Sequence, residues 1–415
     1  MAVERLLLRV LIHGGCSIGR EDAASVDTPP EAQRTQGRRV MPIEFKGSEG
    51  RTLGVEEEHL IVDLTTGELA PKIEEIMSQL PEDLEEVVSY ELFQSVLEIK
   101  TPPCATVAEV TALLREFRSQ VISQAESCGV TLACAGTHPF SRYKDQKITA
   151  QERYKRVMEA LRWIAEREVI FGQHIHVGVP GAEESIEAHN RLSEQVPLLL
   201  ALSANSPYWQ GMDTGYESTR VKVFETFPRA GLPPAFPDYA AFEDYVDIMI
   251  LAGAMDDYTF CWWDVRPHPR IGTIELRVLD SQTSLQSTVA LTALTQCLVA
   301  NILSESPKGP YDRELAAENK WRAARHGLDA VFYDARKGVS VPARKMARTL
   351  VTELRPLSQD LSCENELLEV LEVVENGTGS QHQRRVYEKS GDFLDVVAYL
   401  VENTRPAMAE TSLEE

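Results

Sequence analysis

The 415-residue sequence lacks both of the glycine-rich loops that most often hold a nucleotide. It contains no G-x-x-x-x-G-K-S/T run, and no G-x-G-x-x-G run follows a strand-like segment. These absences exclude a P-loop nucleotide fold and a Rossmann dinucleotide site. A nucleotide bound by this chain must therefore be held by a site of another kind.

Basic residues are scarce beside acidic ones. The chain has 42 Lys and Arg against 64 Asp and Glu, which gives a net charge of −22. Such a surface repels nucleic-acid phosphates unless a local basic patch overrides it, and no basic stripe stands out in the sequence. Nucleic acid is therefore not an expected partner. A site for an anionic ligand must gather positive charge locally, from metal ions and a few Arg.

Cysteine and long apolar runs are also limited. The seven cysteines are irregularly spaced and form no C-x-x-C pair, which argues against a disulfide scaffold and a cysteine-based zinc site. Reduced thiols indicate a cytoplasmic protein. No uninterrupted apolar run reaches the roughly 18–20 residues that span a bilayer, so we expect no membrane partner.

Three parts of the chain differ in composition. Residues 13–40 are rich in Gly, Ser, Thr, Pro and Arg and show no periodicity, so we predict a disordered extension over residues 1–40. Met41 is the expected true start. Residues 41–415 then read as a single catalytic domain, with a sheet-containing core over about 41–283 and a mainly helical part over 284–415.

The predicted fold class is α+β, a mostly antiparallel sheet with helices packed on one face. The candidate strands are Thr52–Asp63, Glu86–Ser89, Val96–Thr101, Thr131–Gly136, Gln173–Val179 and Thr273–Asp280. The candidate helices are Thr106–Cys128, Ala150–Glu166, Ser185–Leu202, Asp238–Leu251 and Ser284–Ser304. In the first helix, Thr106 is a predicted N-cap, with Glu109 three residues on completing a capping box.

Polar residues recur at period-two spacing on otherwise apolar strands. Because side chains at i and i+2 of a strand share a face, each pair should point the same way. The pairs are Glu56 and Glu58 in LGVEEEHLIVD (53–63), His174 and His176 in FGQHIHVGV (171–179), and Glu275 and Arg277 in GTIELRVLD (272–280). A sheet face with these groups is too costly to bury unpaired, and so it is not a hydrophobic core.

Each pair taken alone also fits a solvated strand or an ordinary ion pair. Two further carboxylates, Glu91 and Glu98, lie in YELFQSVLEIKTP (90–102), and they share a face only if the strand breaks near residues 93–95. Several carboxylates with few histidines suit Mg²⁺ better than zinc. Arg277 and Arg220 are candidate donors to phosphate or carboxylate. The residues indicate a metal-assisted phosphate or carboxylate site without naming a reaction.

The sequence resembles the carboxylate–amine ligases known as glutamate–cysteine ligase type 2, from about Thr52 to Leu400. Ten motifs occur in order. They are GVEEEHLIVD, ELFQSVLEIKTP, GTHPF (136–140), ERYKRV (152–157), QHIHVGV, SANSPYW (203–209), DTGYESTR (213–220), FPRAGLPPAF (227–236), DVRPHPRIGTIELRVLD (264–280) and ENKWRAARHGLDA (318–330). The resemblance implies a glutamine synthetase-like catalytic fold, with a curved sheet and a helical C-terminal region.

The resemblance also implies roles for individual residues. The implied metal ligands are Glu56, Glu58, Glu91, Glu98, His176 and Glu275. Arg277 would contact the transferring phosphate or the acyl group, and Arg220 and Arg153 would contact substrate carboxylate or nucleotide phosphate. His174 would support a ligand rather than bind metal. The segment 375–385 departs from the family form at Thr378–Ser380, so Gln381 and Arg384 are not assigned to the site.

The implied reaction uses ATP and Mg²⁺. A carboxylate attacks ATP to give an acyl phosphate, and an amine then opens it to an amide. The implied substrates are glutamate and L-cysteine, giving γ-glutamylcysteine, ADP and phosphate, and the implied assembly is a homodimer. Three alternatives stay open: the same chemistry on another carboxylate or amine, a metal-dependent amidohydrolase-type hydrolase, and a non-catalytic nucleotide or amino-acid binding protein.

Overall fold

An antiparallel β-sheet of seven strands is the frame of the protein. The structure, a computed structural model, describes residues 42–306 and 311–406, apart from the side chain of residue 49. The extension predicted over residues 1–40 lies outside the described residues. From residue 42 onward, the described residues belong to one compact unit.

The strands of the sheet run in the spatial order β2-β3-β1-β5-β9-β8, and β4 pairs with the end of β1. Two short hairpins, β6–β7 and β10–β11, stand apart from the sheet. The strands are β1 (Leu53–Asp63), β2 (Val88–Tyr90), β3 (Val96–Lys100), β4 (Val130–Ala133), β5 (Gly172–Gly178), β6 (Tyr208–Trp209), β7 (Met212–Asp213), β8 (Val265–His268), β9 (Thr273–Asp280), β10 (Val331–Asp334) and β11 (Val339–Pro342).

Helices pack on one face of the sheet and continue to the C-terminal end of the described chain. They are α1 (Ile73–Met77), α2 (Val107–Ser127), α3 (Glu152–Leu161), α4 (Trp163–Glu166), α5 (Ala182–Ser203), α6 (Arg220–Phe224), α7 (Tyr239–Leu251), α8 (Leu285–Ser304), α9 (Arg313–His326), α10 (Ala343–Asp360), α11 (Glu364–Asn376), α12 (Gly379–Ser390) and α13 (Phe393–Thr404). The predicted α+β class, with an antiparallel sheet and a helical C-terminal region, is confirmed.

The two faces of the sheet follow from strand alternation. On β1, Leu53, Val55 and Ile61 point to the helical side and join the main hydrophobic core. The core also takes in apolar side chains of α2, α5 and α8. The intervening residues of β1 face the opposite side, as period-two geometry requires. On that side Leu60 and Val62 pack with Val397 and Leu400 of α13, so the face opposite the main core is left open for polar groups only along the first half of β1.

In the described part of the chain, helix α8 is the one helix that is both long and apolar enough to cross a membrane. It has the length and composition of a membrane span, but 78% of its apolar stretch is buried inside the protein. The sequence of α8 does not stand out as an uninterrupted apolar run, because Ser, Thr and Gln interrupt it. Its burial identifies it as a core helix, packed against α2, α5, α10 and α11.

Helix α2 begins as the sequence predicts. The Thr106 hydroxyl accepts a hydrogen bond from the Glu109 backbone N–H at 3.2 Å, which makes Thr106 the N-cap. The Glu109 carboxylate accepts from the Ala105 N–H at 2.6 Å rather than from that of Thr106. The second half of the capping box is therefore displaced by one residue.

The structure differs from the predicted elements in two places. The single helix predicted over 150–166 is two helices, because Arg162 adopts a positive φ of 52° and ends α3. Strand β8 was not predicted, since Pro267 and Pro269 argue against a strand. Proline is tolerated there because β8 is the edge strand beyond β9, where one side needs no ladder hydrogen bonds.

Candidate active site

A cavity of about 840 Å³ opens on the face of the sheet opposite the main helical core. Side chains from β1, β3, β5, β8 and β9 line its floor. The register explains why they meet: Glu58 lies opposite Glu98 on β3, and Glu56 lies opposite His174 on β5. Farther along, His176 lies opposite Glu275. The three predicted pairs and Glu98 thus form one row across the sheet.

Glu91 reaches the same cavity from outside a strand. β2 ends at Tyr90 and β3 begins at Val96, so the chain turns between the two carboxylates. This is the break that the odd spacing of Glu91 and Glu98 requires. Both side chains line the cavity.

Three groups of side chains along this row have their ligand atoms within 4.8 Å of one another. The groups are Glu56 with His176 and Glu275, Glu56 with Glu98 and His174, and Glu58 with Glu91 and Glu98. Glu56 and Glu98 each belong to two groups. The row therefore has the donor set for more than one hard divalent cation, with carboxylates in the majority.

Histidines compensate the charge at one end of the row. His174 Nδ1 lies 2.9 Å from Glu56 Oε2, and His176 Nε2 lies 3.5 Å from Glu56 Oε1. Burial alone would raise the pKa of Glu56, but its hydrogen bonds and attraction to these histidines hold that pKa well below its usual value. The His176 ring is fixed by its Nδ1, which lies 3.0 Å from the Thr273 hydroxyl.

The other end of the row has too little positive charge. Burial, followed by repulsion from Glu58, raises the pKa of Glu91 from its usual 4.5 to about 8. Burial and the neighbouring Glu56, Glu91 and Glu58 raise the pKa of Glu98 as well. Neighbouring carboxylates that raise one another's pKa by repulsion are typical of a site whose counter-ion is an external cation.

Glu275 is held by two arginines. Arg266 donates to Glu275 Oε2 from Nε at 2.8 Å, and Arg277 donates to Glu275 Oε1. Burial would raise the pKa of Glu275, but these cations outweigh it and hold the pKa far below its usual value. Glu275 therefore has a structural ion-pairing role besides its place in the ligand row. A Glu275→Gln substitution would disturb stability as well as metal binding, so it is a poor isolated test of metal ligation.

Arg277 and Arg220 both line the cavity. Arg220 is 3% exposed and donates to the backbone carbonyls of Val278 and Arg277, each at 3.2 Å. Within the described residues, the Nε atoms of both arginines have no hydrogen-bond partner. A side chain at Gly172 would overlap the Arg220 guanidinium, since a Cβ there would lie 2.2 Å from Arg220 Nη2. Glycine at 172 thus makes room for this arginine.

Arg153 stands at the entrance to the cavity. It is an exposed residue near the start of α3, and the neighbouring Tyr154 ties that helix to β2 by donating its hydroxyl hydrogen to the Tyr90 carbonyl at 2.7 Å. Arg153 also lines a second, smaller cavity of about 340 Å³. Gln381 and Arg384 lie elsewhere on α12, where Arg384 pairs with Asp213 at 2.5 Å.

Two of the charged cavity residues that sequence reasoning missed are Arg266 and Glu168. Arg266 shares a strand face with His268, the same period-two signal as in the other strands, but the flanking prolines concealed it. Glu168 lies in the loop between α4 and β5, where no periodic signal exists. The structure also gives His174 a direct place beside Glu56 and Glu98, among the atoms that could hold a cation.

Comparison with known proteins supplies the family. The profile of glutamate–cysteine ligase family 2 matches residues 52–400. This chain belongs to glutamate–cysteine ligase family 2. One family member, from Rubrobacter xylanophilus, has the provisional name glutamate–cysteine ligase 2-1; it is 70% identical over 372 residues, which are 89% of this chain and 99% of that protein. A relative of the same provisional name from Frankia casuarinae is 40% identical over 87% of this chain and 97% of its own length.

Solved structures with the same fold are more distant in sequence. The glutamate–cysteine ligase of Francisella tularensis, crystallised with AMP, has a TM-score of 0.63 at 14% identity, covering 87% of this chain and 90% of that one. A bifunctional glutathione synthetase from Pasteurella multocida has a TM-score of 0.61 at 13% identity, covering 86% of this chain and 52% of that one. The family membership makes this chain a ligase and removes the hydrolase alternative.

Proposed function

We propose that this family member is an ATP-dependent ligase that joins the side-chain carboxylate of glutamate to the amine of L-cysteine, with magnesium held by the carboxylate row. The observation that supports it best is the continuous row of Glu and His donors facing one cavity with Arg266 and Arg277 at its end. Phosphoryl transfer needs this combination of metal ligands and cationic donors. The family and its relatives' names support the substrates.

The donor set fits a hard divalent cation. Glu58, Glu91 and Glu98 offer oxygen atoms only, which suits Mg²⁺, and the raised pKa values of Glu91 and Glu98 indicate charge that a cation would neutralise. We propose Glu56, Glu58, Glu91, Glu98, His176 and Glu275 as metal ligands, with His174 beside them. Magnesium held by these residues would supply positive charge that offsets the negative charge developing during phosphoryl transfer.

The residues of the chain would position the reactants for two successive displacements. In the first, a carboxylate oxygen attacks the γ-phosphorus of ATP, and ADP leaves. Arg277 points its guanidinium into the cavity next to Glu275 and is the proposed donor to the transferring phosphoryl group. In the second, the amine nitrogen attacks the acyl carbon and phosphate leaves, completing the amide.

Two further arginines have proposed roles in binding. Arg220 lines the cavity with its Nη atoms fixed on backbone carbonyls, and we propose that its guanidinium contacts an anionic group of a substrate there. Arg153 at the entrance is the proposed contact for nucleotide phosphate. An exposed arginine at that place also attracts anionic ligands to a chain whose net charge is −22.

The decisive experiment is phosphate release from ATP and Mg²⁺, screened over glutamate with cysteine and over a panel of other carboxylates and amines. Release with glutamate plus cysteine alone, together with γ-glutamylcysteine in the product, is the expected result. Release with another pair would keep the ligase chemistry and reject these substrates. If no pair releases phosphate, isothermal titration with ATP and Mg²⁺ would separate a non-catalytic binder from a protein that binds neither.

Three further points are part of the proposal. We propose that residues 41–415 act as one catalytic domain, that the protein works in the cytoplasm, and that it forms a homodimer. Sedimentation analysis at assay concentrations tests the homodimer, and a monomer of about 46 kDa under those conditions would reject it.

A further inference from the structure

Glu168 is a cavity carboxylate with no place in the metal row. It lies in the loop between α4 and β5, and its side chain faces the same cavity as Glu58 and Arg277. Its Oε2 atom is buried and has no hydrogen-bond partner within the described residues. A buried polar atom without a hydrogen bond destabilises the folded protein unless a ligand or another group donates to it. Its presence in a cavity wall therefore indicates a ligand-binding role.

Charged side chains of both signs act on Glu168. Its charged neighbours are Glu58, Arg167, Arg220 and Arg277. Burial, followed by the repulsion of Glu58, outweighs the attraction of the arginines and raises the pKa of Glu168 from its usual 4.5 to about 8. Glu168 is thus a carboxyl group of the cavity wall whose charged surroundings include a proposed metal ligand and the arginine proposed to contact the phosphoryl group.

The proposed reaction leaves one proton without an acceptor. An α-amino group is largely ammonium near neutral pH, and ammonium has no lone pair with which to attack a carbonyl carbon. The amine must therefore lose a proton inside the cavity before or during attack. The carboxylates of the metal row would have their lone pairs directed at cations, and the arginines hold their protons at any physiological pH.

We infer that Glu168 binds the ammonium group of the amine substrate and accepts its proton, an inference that rests on the proposed function. The N–H bond breaks as the O–H bond forms on Glu168, and the freed nitrogen lone pair forms the new C–N bond. The acyl carbon–oxygen bond then breaks, and phosphate leaves with its electron pair and takes up the second proton that the nitrogen loses as the amide forms. Glu168 lines the same cavity as Arg277 and Glu58, in which the acyl phosphate and the metal row meet in the proposed mechanism.

The experiment compares two nucleophiles in one variant. Hydroxylamine is already a free base at neutral pH, so it captures an acyl phosphate as a hydroxamate without needing a group to remove a proton first. In Glu168→Gln, the rate with cysteine should fall by about 10²–10⁴-fold, the usual contribution of a proton-transferring side chain. Hydroxamate formation from glutamate and ATP should stay close to the wild-type rate.

The matched control is Glu166→Gln, two residues earlier on α4, whose carboxylate is exposed. It should leave both rates unchanged, and thermal unfolding of each variant checks that the fold is intact. Equal loss of both activities in Glu168→Gln, or loss of neither, would overturn the role of Glu168. Absence of hydroxamate with the wild-type enzyme would instead reject the proposed ligase reaction, so the two failures are distinguishable.

Discussion

Neighbouring glutamates on β1 show two ways in which this sheet accommodates charge. Glu57 points to the helical face, where Arg118 on α2 binds both of its carboxylate oxygens at 2.9 and 2.6 Å. The Thr288 hydroxyl on α8 also donates to Glu57 at 2.7 Å. Glu56 and Glu58 point to the cavity, in a row where carboxylates outnumber cations.

The difference lies in where the compensating charge comes from. On the helical face, the protein supplies its own counter-ion, and the remaining N–H groups of Arg118 donate to the carbonyls of Gln282, Thr283 and Thr404. On the cavity face, the chain leaves a deficit of positive charge that an external cation would fill. The same strand thus carries one charge that a buried arginine neutralises and other charges that face a cavity where carboxylates outnumber cations.

The sharpest test of the comparison removes one carboxylate from the cavity face. Glu98→Gln should lower kcat/KM on the order of 10³-fold, because a metal ligand is worth several kcal/mol in the transition state. The melting temperature of the metal-free protein should stay unchanged or rise, because a repulsive charge is lost. Steady-state kinetics and calorimetry with EDTA measure the two effects.

Glu86→Gln, at an exposed position between α1 and β2, is the control for this substitution and should change neither quantity. A metal-free Glu98→Gln protein that melts well below the wild type would contradict the account of an uncompensated cavity face.

The opposite result is expected on the helical face. Glu57→Gln leaves the buried Arg118 without its counter-ion and should lower the free energy of unfolding by about 3–5 kcal/mol, while the folded fraction keeps its kcat. Replacing both partners, as in Glu57→Leu with Arg118→Leu, should cost less than the single change. Urea unfolding of the single and double variants measures this coupling. Equal stability of Glu57→Gln and wild type would show that the pair is dispensable.

A smaller effect should distinguish the two arginines that hold Glu275. Arg277→Lys loses the planar fork offered to the phosphoryl group and should lower kcat about 10²-fold. Arg266 instead donates a second N–H to the Thr259 carbonyl at 2.6 Å, which ties it to the backbone, so Arg266→Lys should act mainly on stability. Kinetics and melting curves of both variants test this difference, and equal kcat losses would make Arg277 an ordinary ion-pair residue.

The mildest effect is a difference in pH dependence between the faces, measured on the metal-free protein. Burial lowers the pKa of His59, on the helical face, from 6.5 to about 4, so the folded state binds fewer protons and stability is lost as pH falls between those values. The pKa of Glu91 is raised from 4.5 to about 8, so the folded state binds more protons and stability is lost as pH rises through that window. Each slope is at most about 1.4 kcal/mol per pH unit.

Urea titrations between pH 5 and pH 8 in EDTA, on wild type and Glu91→Gln, check this pH dependence. In the variant, the free energy of unfolding should decline less toward pH 8 than in the wild type, and it should decline toward pH 5 as in the wild type. An unchanged alkaline decline in Glu91→Gln would show that this carboxyl is not the group responsible.

Much of the cavity row could be predicted from sequence because strand alternation is a local property. Spacing of two residues alone assigned Glu56 with Glu58, and Glu275 with Arg277, to shared faces. The break between Glu91 and Glu98 followed from an odd spacing. The roles of these residues as metal ligands remain predictions, since they derive from the resemblance and the charge balance.

The missed features depend on long-range packing. Arg118 lies on the buried face of α2, and nothing in its own segment shows that Glu57, 61 residues earlier, is its partner. Arg162, which ends α3, is an ordinary helix former whose positive φ is imposed by its surroundings. Glu168 lies in a loop, where no periodicity relates neighbours in sequence to neighbours in space.

The contacts of Thr404 bear on how the chain is made. Its hydroxyl accepts the backbone N–H of Cys134 on the loop after β4 at 2.8 Å, and its carbonyl accepts from the Arg118 guanidinium at 3.3 Å. Synthesis must therefore have passed residue 404 before the buried ion pair of the first strand can be fully coordinated. This part of the core is completed late, after α13 has been made. Until then, the Arg118 guanidinium lacks one of the backbone carbonyls that accept its hydrogen bonds in the folded protein.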